Sequence, residues 1–218
     1  MDEVAESLPP PPDQNLAGRE LVVAVCGGIA AYKSADLVSR LVQRGAGVTV
    51  VMTASAQRFV TPLTFQSLSG RLVRADTFDL RDSSDPQHIG LTEKADLMIV
   101  APATADILAK AAHGICDDLV SLMINAAACP VVFCPAMNHR MWENPVTAQN
   151  IDRLADLGYQ FIGPEAGWLA CRNVGMGRMS EPQEILARVI ELMAKGKAKR
   201  RPAAHGSPPD QNQTRPRM

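Results

Sequence analysis

Four short apolar runs, each stopped by glycine, threonine or proline and separated by stretches with helical spacing, decide what this 218-residue chain can fold into. They are Glu20–Cys26 (ELVVAVC), Gly47–Met52 (GVTVVM), Asp96–Ala101 (DLMIVA) and Pro130–Cys134 (PVVFC). None alternates apolar with polar, so strands made from them must be covered on both faces. Between them, Leu37, Val38 and Leu41 recur at helical spacing within Ala30–Arg44, and Gly45 stops that helix. Pro62 can open a short helix at its first turn. Further helices are expected around Ala105–Ala112 and Asp117–Ala127, near Pro145–Leu157 and over Glu181–Ala194, with a short strand at Tyr159–Ile162. Apolar strands alternating with helices specify an α/β three-layer sandwich around a parallel sheet. Such sheets bind ligands beyond the carboxyl ends of their strands, so function is sought in the loops that follow them.

Composition narrows the classes. The formal net charge of −1 gives no general argument for a nucleic-acid or membrane partner. No apolar run approaches the ~20 residues of a membrane span. Met1–Gly18 is acidic and then proline-rich, unlike a secretory signal, so a cytoplasmic chain with reduced thiols is expected. The five cysteines are odd in number and never spaced C-x-x-C, so neither a metal site nor a disulfide framework is expected. Cys26, Cys129 and Cys134 fall in or beside apolar strands and read as buried small hydrophobes. Cys171 stands instead before Arg172, Asn173, Gly175, Gly177 and Arg178. Residues 1–18 are expected to be a disordered extension, 19–194 the folded domain and 195–218 a disordered tail with seven Lys/Arg against Asp210. That tail is far too short for a second domain.

Each strand-end loop has two readings. In Cys26-Gly27-Gly28-Ile29-Ala30-Ala31-Tyr32-Lys33, the glycines allow close backbone approach to a ligand, and a following helix start suits a phosphate; a tight turn without ligand accounts for the same residues. Lys33 is expected to be a solvated helix lysine rather than an anion ligand. Thr53 can cap the next helical segment or meet a ligand. Ala101-Pro102-Ala103-Thr104-Ala105-Asp106 is small enough for a flat ring to lie against its backbone, and Pro102 is expected to end the strand. Asn138, after the fourth strand, is either an ordinary N-cap or a polar handle with both donor and acceptor. His139 is expected to be exposed, and His88 taken singly is a weak candidate.

Taken together, Gly27–Lys33, His88-Ile89, Ala101–Asp106, Gly114-Ile115-Cys116-Asp117-Asp118-Leu119, Pro135-Ala136-Met137-Asn138 and Gly175-Met176-Gly177-Arg178-Met179 form an ordered set. In order and approximate spacing that set resembles the homo-oligomeric flavin-containing cysteine decarboxylases, over about residues 19–194. The Pro-Ala-Met-Asn loop with the downstream Cys171 resembles the branch acting on 4′-phosphopantothenoylcysteine. The resemblance implies a flavodoxin-like fold and a homo-oligomer, trimer or dodecamer, with FMN between subunits. It places Gly28, Ile29, Ala30, Thr53, Phe59, Thr104, Ala105, Asp106 and Ile107 at FMN. It makes His88 the catalytic histidine, Asn138 and Met141 substrate-binding residues, and Cys171 the proton donor. The implied chemistry oxidises the substrate cysteine to a thioaldehyde, loses CO2 into the C=S group and reduces the product again, for no net redox change. Three positions depart from the family pattern: Arg172-Asn173 for Gly-Asp after Cys171, Gly90 for an acid, and Cys26 for a hydroxyl residue. A peptidyl-cysteine decarboxylase, a flavin prenyltransferase and a non-catalytic regulatory FMN protein are the competing readings; a prenyltransferase lacks the Pro-Ala-Met-Asn loop.

Overall fold

A computed structural model describes residues 13–76 and 87–195, with 87–90 described in their backbone only. The chain runs β1 (Glu20–Val25), α1 (Ala31–Gln43), β2 (Gly47–Met52), a 3-10 turn (Ala56–Arg58), α2 (Pro62–Ser69), α3 (Gln87–Lys94) and β3 (Leu97–Ala103). It continues α4 (Ala105–His113), α5 (Leu119–Ala126), β4 (Val131–Pro135), α6 (His139–Trp142), α7 (Pro145–Asp156), β5 (Gln160–Phe161), β6 (Glu165–Trp168), β7 (Val174–Arg178) and α8 (Pro182–Ala194). β1 to β5 form one sheet in the order β2-β1-β3-β4-β5, every pair parallel. This is the flavodoxin-like order, and the connection reverses direction between β1 and β3, which opens a crevice at their carboxyl ends.

The uniformly apolar strands feed two cores. Leu21, Val23 and Val25 of β1 pack toward α1 and α8, where Leu37, Val38, Leu41, Ile185 and Val189 meet them. Val22 and Ala24 pack the other way, against Ile107 and Leu108 of α4 and Val120, Met123 and Ile124 of α5. Turn chemistry places the helix starts. Pro62 opens α2 after Thr61. Asp118 caps α5 by accepting from the Ser121 N–H at 2.8 Å, so that helix begins two residues later than the sequence suggests.

Two expectations are corrected, and one stretch left unassigned takes on a structure. Residues 13–18, assigned to a disordered extension, turn back onto the domain: Leu16 is fully buried and its N–H donates to the Arg44 carbonyl at 3.0 Å. Burying one leucine anchors a segment whose composition alone gives no reason to fold. β3 does not end at Ala101 but runs through Pro102 to Ala103, with a register irregularity in its pairing to β4, the kind of place where a strand tolerates proline. The glycine-rich stretch around Cys171 is a two-stranded antiparallel hairpin, β6–β7, outside the main sheet. Residues 1–12 and 196–218, including most of the proposed disordered ends, lie outside the described residues. Among the described residues no helix is long and apolar enough to cross a membrane.

Candidate functional site

The loops after β2, β1, β3 and β4 stand side by side in the order their strands take in the sheet. The β1 loop touches both of its neighbours. A Cβ added at Gly27 would come within 2.3 Å of the Ser55 Cβ, and one at Gly28 would meet the Thr104 Cγ2 at 3.7 Å. Glycine at 27 is therefore a steric requirement for closing the β1 loop on the β2 loop. Ser34 on α1 donates to the Ala101 carbonyl at 2.6 Å and holds α1 against β3. α1 itself starts at Ala30 without a side-chain cap and without an acidic residue in its first turn. No side chain therefore competes there with an anion, although the Ala31 and Lys33 N–H groups donate to the Gly28 and Ala30 carbonyls. Thr53 and Thr104 are both caps: their hydroxyls accept from the Ala56 N–H at 3.1 Å and the Ile107 N–H at 3.3 Å. Ile29 and Phe59 lie 60% and 52% exposed beside these loops. Small backbone, hydroxyls, an open helix start and two uncovered apolar side chains fit a flat ring carrying a phosphate.

The fourth loop is joined to the third where the Ala136 N–H donates to the Ala103 carbonyl at 2.9 Å. Asn138 caps α6, its Oδ1 accepting from the Arg140 N–H at 2.8 Å. With the oxygen so used, the two Nδ2–H donors are the part of the amide suited to an acceptor such as a carboxylate. The hairpin lies directly on this loop. The Met137 N–H donates to the Gly177 carbonyl at 2.9 Å, and Gly175 lies against His139, whose Cβ is 2.8 Å from where a Cβ on that glycine would stand. Cys171 is exposed in the turn between β6 and β7, next to Arg172, which holds the left-handed conformation at φ 63°.

The sequence-selected residues therefore divide. Gly28, Ala30, Thr53, Thr104 and Ala105, all partly buried, and the exposed Ile29 and Phe59 fall on the row of loops after β1, β2 and β3. Asn138 and Met141, the latter 47% exposed, continue it along the β4 loop. Asp106 is exposed and pairs with Lys110 at 3.3 Å. Ile107 is corrected: it is 1% exposed within the α4 core, so its side chain supports the site from beneath rather than lining it. His88 belongs to the first turn of α3, and its side chain lies outside the described residues. Cys26, though next to the glycines, is buried, and desolvation holds its thiol far above its ordinary pKa, which removes it as a nucleophile.

Two more expectations are reversed. Lys33 is buried rather than solvated, with its Nζ on the Met179 carbonyl at 3.2 Å and the Glu181 carboxylate at 2.8 Å. His139 is partly buried rather than exposed, and its Nδ1 is enclosed without a hydrogen-bond partner. The sequence gives no signal for either, because the groups that bury them come from the hairpin and the segment after it.

Comparison with known proteins bears on the family and the fold. The model of the family described as Flavoprotein matches residues 10–194. The coenzyme A biosynthesis bifunctional protein CoaBC of Vibrio cholerae is 48% identical over 181 residues, which is 83% of this chain and 45% of that protein. The chain thus spans just under half the length of that relative. Among solved structures, a cysteine-to-serine mutant of PPC decarboxylase complexed with pantothenoylaminoethenethiol superposes with a TM-score of 0.73 at 31% identity, covering 82% of this chain and 99% of that one. The FMN-dependent cysteine decarboxylase SpaF superposes with a TM-score of 0.71 at 30% identity over the same shares.

Proposed function

The chain belongs to the Flavoprotein family, and from that premise we propose that it holds FMN at the β1/β3 crevice and decarboxylates 4′-phosphopantothenoylcysteine to 4′-phosphopantetheine, a step of coenzyme A synthesis. The carrying observation is that the Cys171 hairpin is bonded directly to the loop presenting Asn138, through Met137 and Gly177. A carboxylate-binding amide and a thiol proton donor are thereby parts of one structural unit beside the flavin loops.

Gly28, Ile29 and Ala30, with Thr53, Phe59, Thr104, Ala105 and Asp106, are the residues assigned to FMN, the open start of α1 serving its phosphate. When bound, the flavin supplies a reversible two-electron oxidation of the substrate cysteine, without which CO2 loss has no electron sink. Asn138 fixes the substrate carboxylate through its Nδ2 donors. Being neutral, it does so without deepening the ground state of a charge that must leave as CO2. Met141, one turn further on, presents an apolar side chain to the same substrate. His88 on α3 is assigned as the catalytic histidine on its sequence position. Cys171 donates the proton that completes re-reduction of the product.

The likeness to SpaF supports a second reading, decarboxylation of a peptide ending in cysteine, where the unsaturated enethiol is the product. Cys171, carried on a hairpin tied to the Asn138 loop, favours the first, since a proton donor serves only the reductive half. The chain is further assigned to a homo-oligomer, trimer or dodecamer. Ile29, Tyr32, Phe59 and Leu63 are 60%, 62%, 52% and 70% exposed around the flavin loops, and FMN between subunits gives that surface a cover.

One anaerobic experiment decides between these readings. The FMN-loaded chain is given phosphopantothenoylcysteine in one arm and a cysteine-ending peptide in the other, and products are weighed by mass spectrometry. The proposal expects the first substrate to lose CO2 and emerge saturated, with the flavin spectrum restored. Turnover of the peptide alone, or a chain that takes up no FMN, overturns it.

A further inference from the structure

A buried lysine needs its charge matched. Among the described residues Lys33 is matched at the root of the hairpin: its Nζ meets the Met179 carbonyl and the Glu181 carboxylate. Glu181 also stands 3.7 Å from Nη1 of Arg178, whose Nη2 donates to Glu165 at 3.0 Å. Arg178 ends β7 and Glu165 begins β6. Positive and negative groups thus alternate from α1 through the start of α8 to both strands of the hairpin. Gly167 makes room for the guanidinium, since a Cβ there would stand 2.9 Å from the Arg178 Nε. That Nε is enclosed without a hydrogen-bond partner.

Lys33 lies one turn beyond Gly28-Ile29. We propose that Lys33 is a positioning residue that fixes the root of the Cys171 hairpin to the β1–α1 loop, so that the thiol is held in register with whatever that loop binds. The inference rests on the decarboxylase reading for its catalytic consequence and on the ion network alone for its structural one. A purely stabilising role fits less well. Glu181 keeps 41% of its side-chain surface, so water can take over its charge when Lys33 is removed.

The test uses the full chain loaded with FMN, as Lys33→Met and Lys33→Arg. Hydrogen exchange over 165–178 is expected to quicken about tenfold or more in Lys33→Met, the scale of losing a charged hydrogen bond, while exchange in β1 and β3 stays as in the parent. With phosphopantothenoylcysteine, the variant is expected to reduce the flavin at the parental rate but release mostly unsaturated, CO2-depleted product. It should thereby match Cys171→Ser, with kcat for the saturated product falling more than KM changes. Lys33→Arg, which keeps the charge, is expected to recover most of both. Parental exchange of the hairpin in Lys33→Met, or equal quickening throughout the domain, overturns the proposal, as does saturated product formed at the parental rate. If the parent itself neither bleaches nor releases CO2, the decarboxylase reading fails while the exchange result still decides the structural claim.

Discussion

Replacing Gly177 with alanine is expected to unseat the hairpin while leaving the sheet intact. Gly177 has φ +129°, a region closed to side-chain-bearing residues, and an added Cβ would lie 2.3 Å from the Met137 carbonyl oxygen and 3.3 Å from its carbon. Both partners are backbone, so no rotamer change relieves the overlap. Forcing a non-glycine residue into such a conformation costs about 1–3 kcal/mol. Undocking breaks the Met137 N–H to Gly177 O bond of 2.9 Å in parent and variant alike, so the strain sets the difference. It lowers the docked population about 5- to 150-fold. None of the β6 or β7 residues belongs to either core, so the penalty should be met by undocking rather than by melting. Hydrogen exchange would show 165–178 opening while 97–103 keeps its protection, with Tm nearly unchanged and saturated product lost. Parental exchange in the hairpin, or a drop in Tm with no selective opening, would refute the claim that this glycine holds the hairpin on the Asn138 loop.

Other expectations follow from single contacts. Asn138→Asp keeps an oxygen for the Arg140 N–H, so α6 should remain capped and Tm nearly constant; it also replaces the Nδ2 donors by negative charge, so KM for phosphopantothenoylcysteine should rise steeply. Unchanged KM in steady-state assays would remove Asn138 from the substrate carboxylate. At the opposite end of the sheet, hydrogen bonds from Arg71 hold the Glu20 carboxyl below its ordinary pKa. A depressed acid stabilises the fold above the unfolded value of about 4.3, and that contribution disappears as pH falls through the lower folded value. Because both side chains are over 40% exposed, Glu20→Gln should cost less than about 1 kcal/mol at neutral pH, with the deficit closing in acid. A deficit constant from neutral pH to pH ~3 in urea melts would show that the charge pair is not its source.

What could be read from the sequence was what short-range chemistry controls. Val22, Val23, Ala24 and Val25 announce a strand covered on both faces, and the small residues after β1 and β3 announce where backbone comes close to a ligand. The same uniformity conceals which side chain enters which core, since Val22 and Val23 look alike yet pack on opposite faces. The hairpin was illegible for the opposite reason. Glu165–Trp168 and Val174–Arg178 carry glycines and charges where strand patterns need alternating apolar residues, and Trp168 and Val174 stay 64% and 73% exposed. It is held from outside itself, through Met137 and Glu181. Lys33 was misread on the same account: its partners are 146 and 148 residues away, and a lysine on a helix otherwise reads as solvated. Groups that bind by local backbone shape therefore declare themselves in sequence, whereas groups that position a moving part depend on contacts made only after the chain has folded. On the proposed function the first kind forms the flavin loops and the second holds the thiol, so a change confined to Lys33 or Gly177 is expected to separate oxidation of the substrate from its completion.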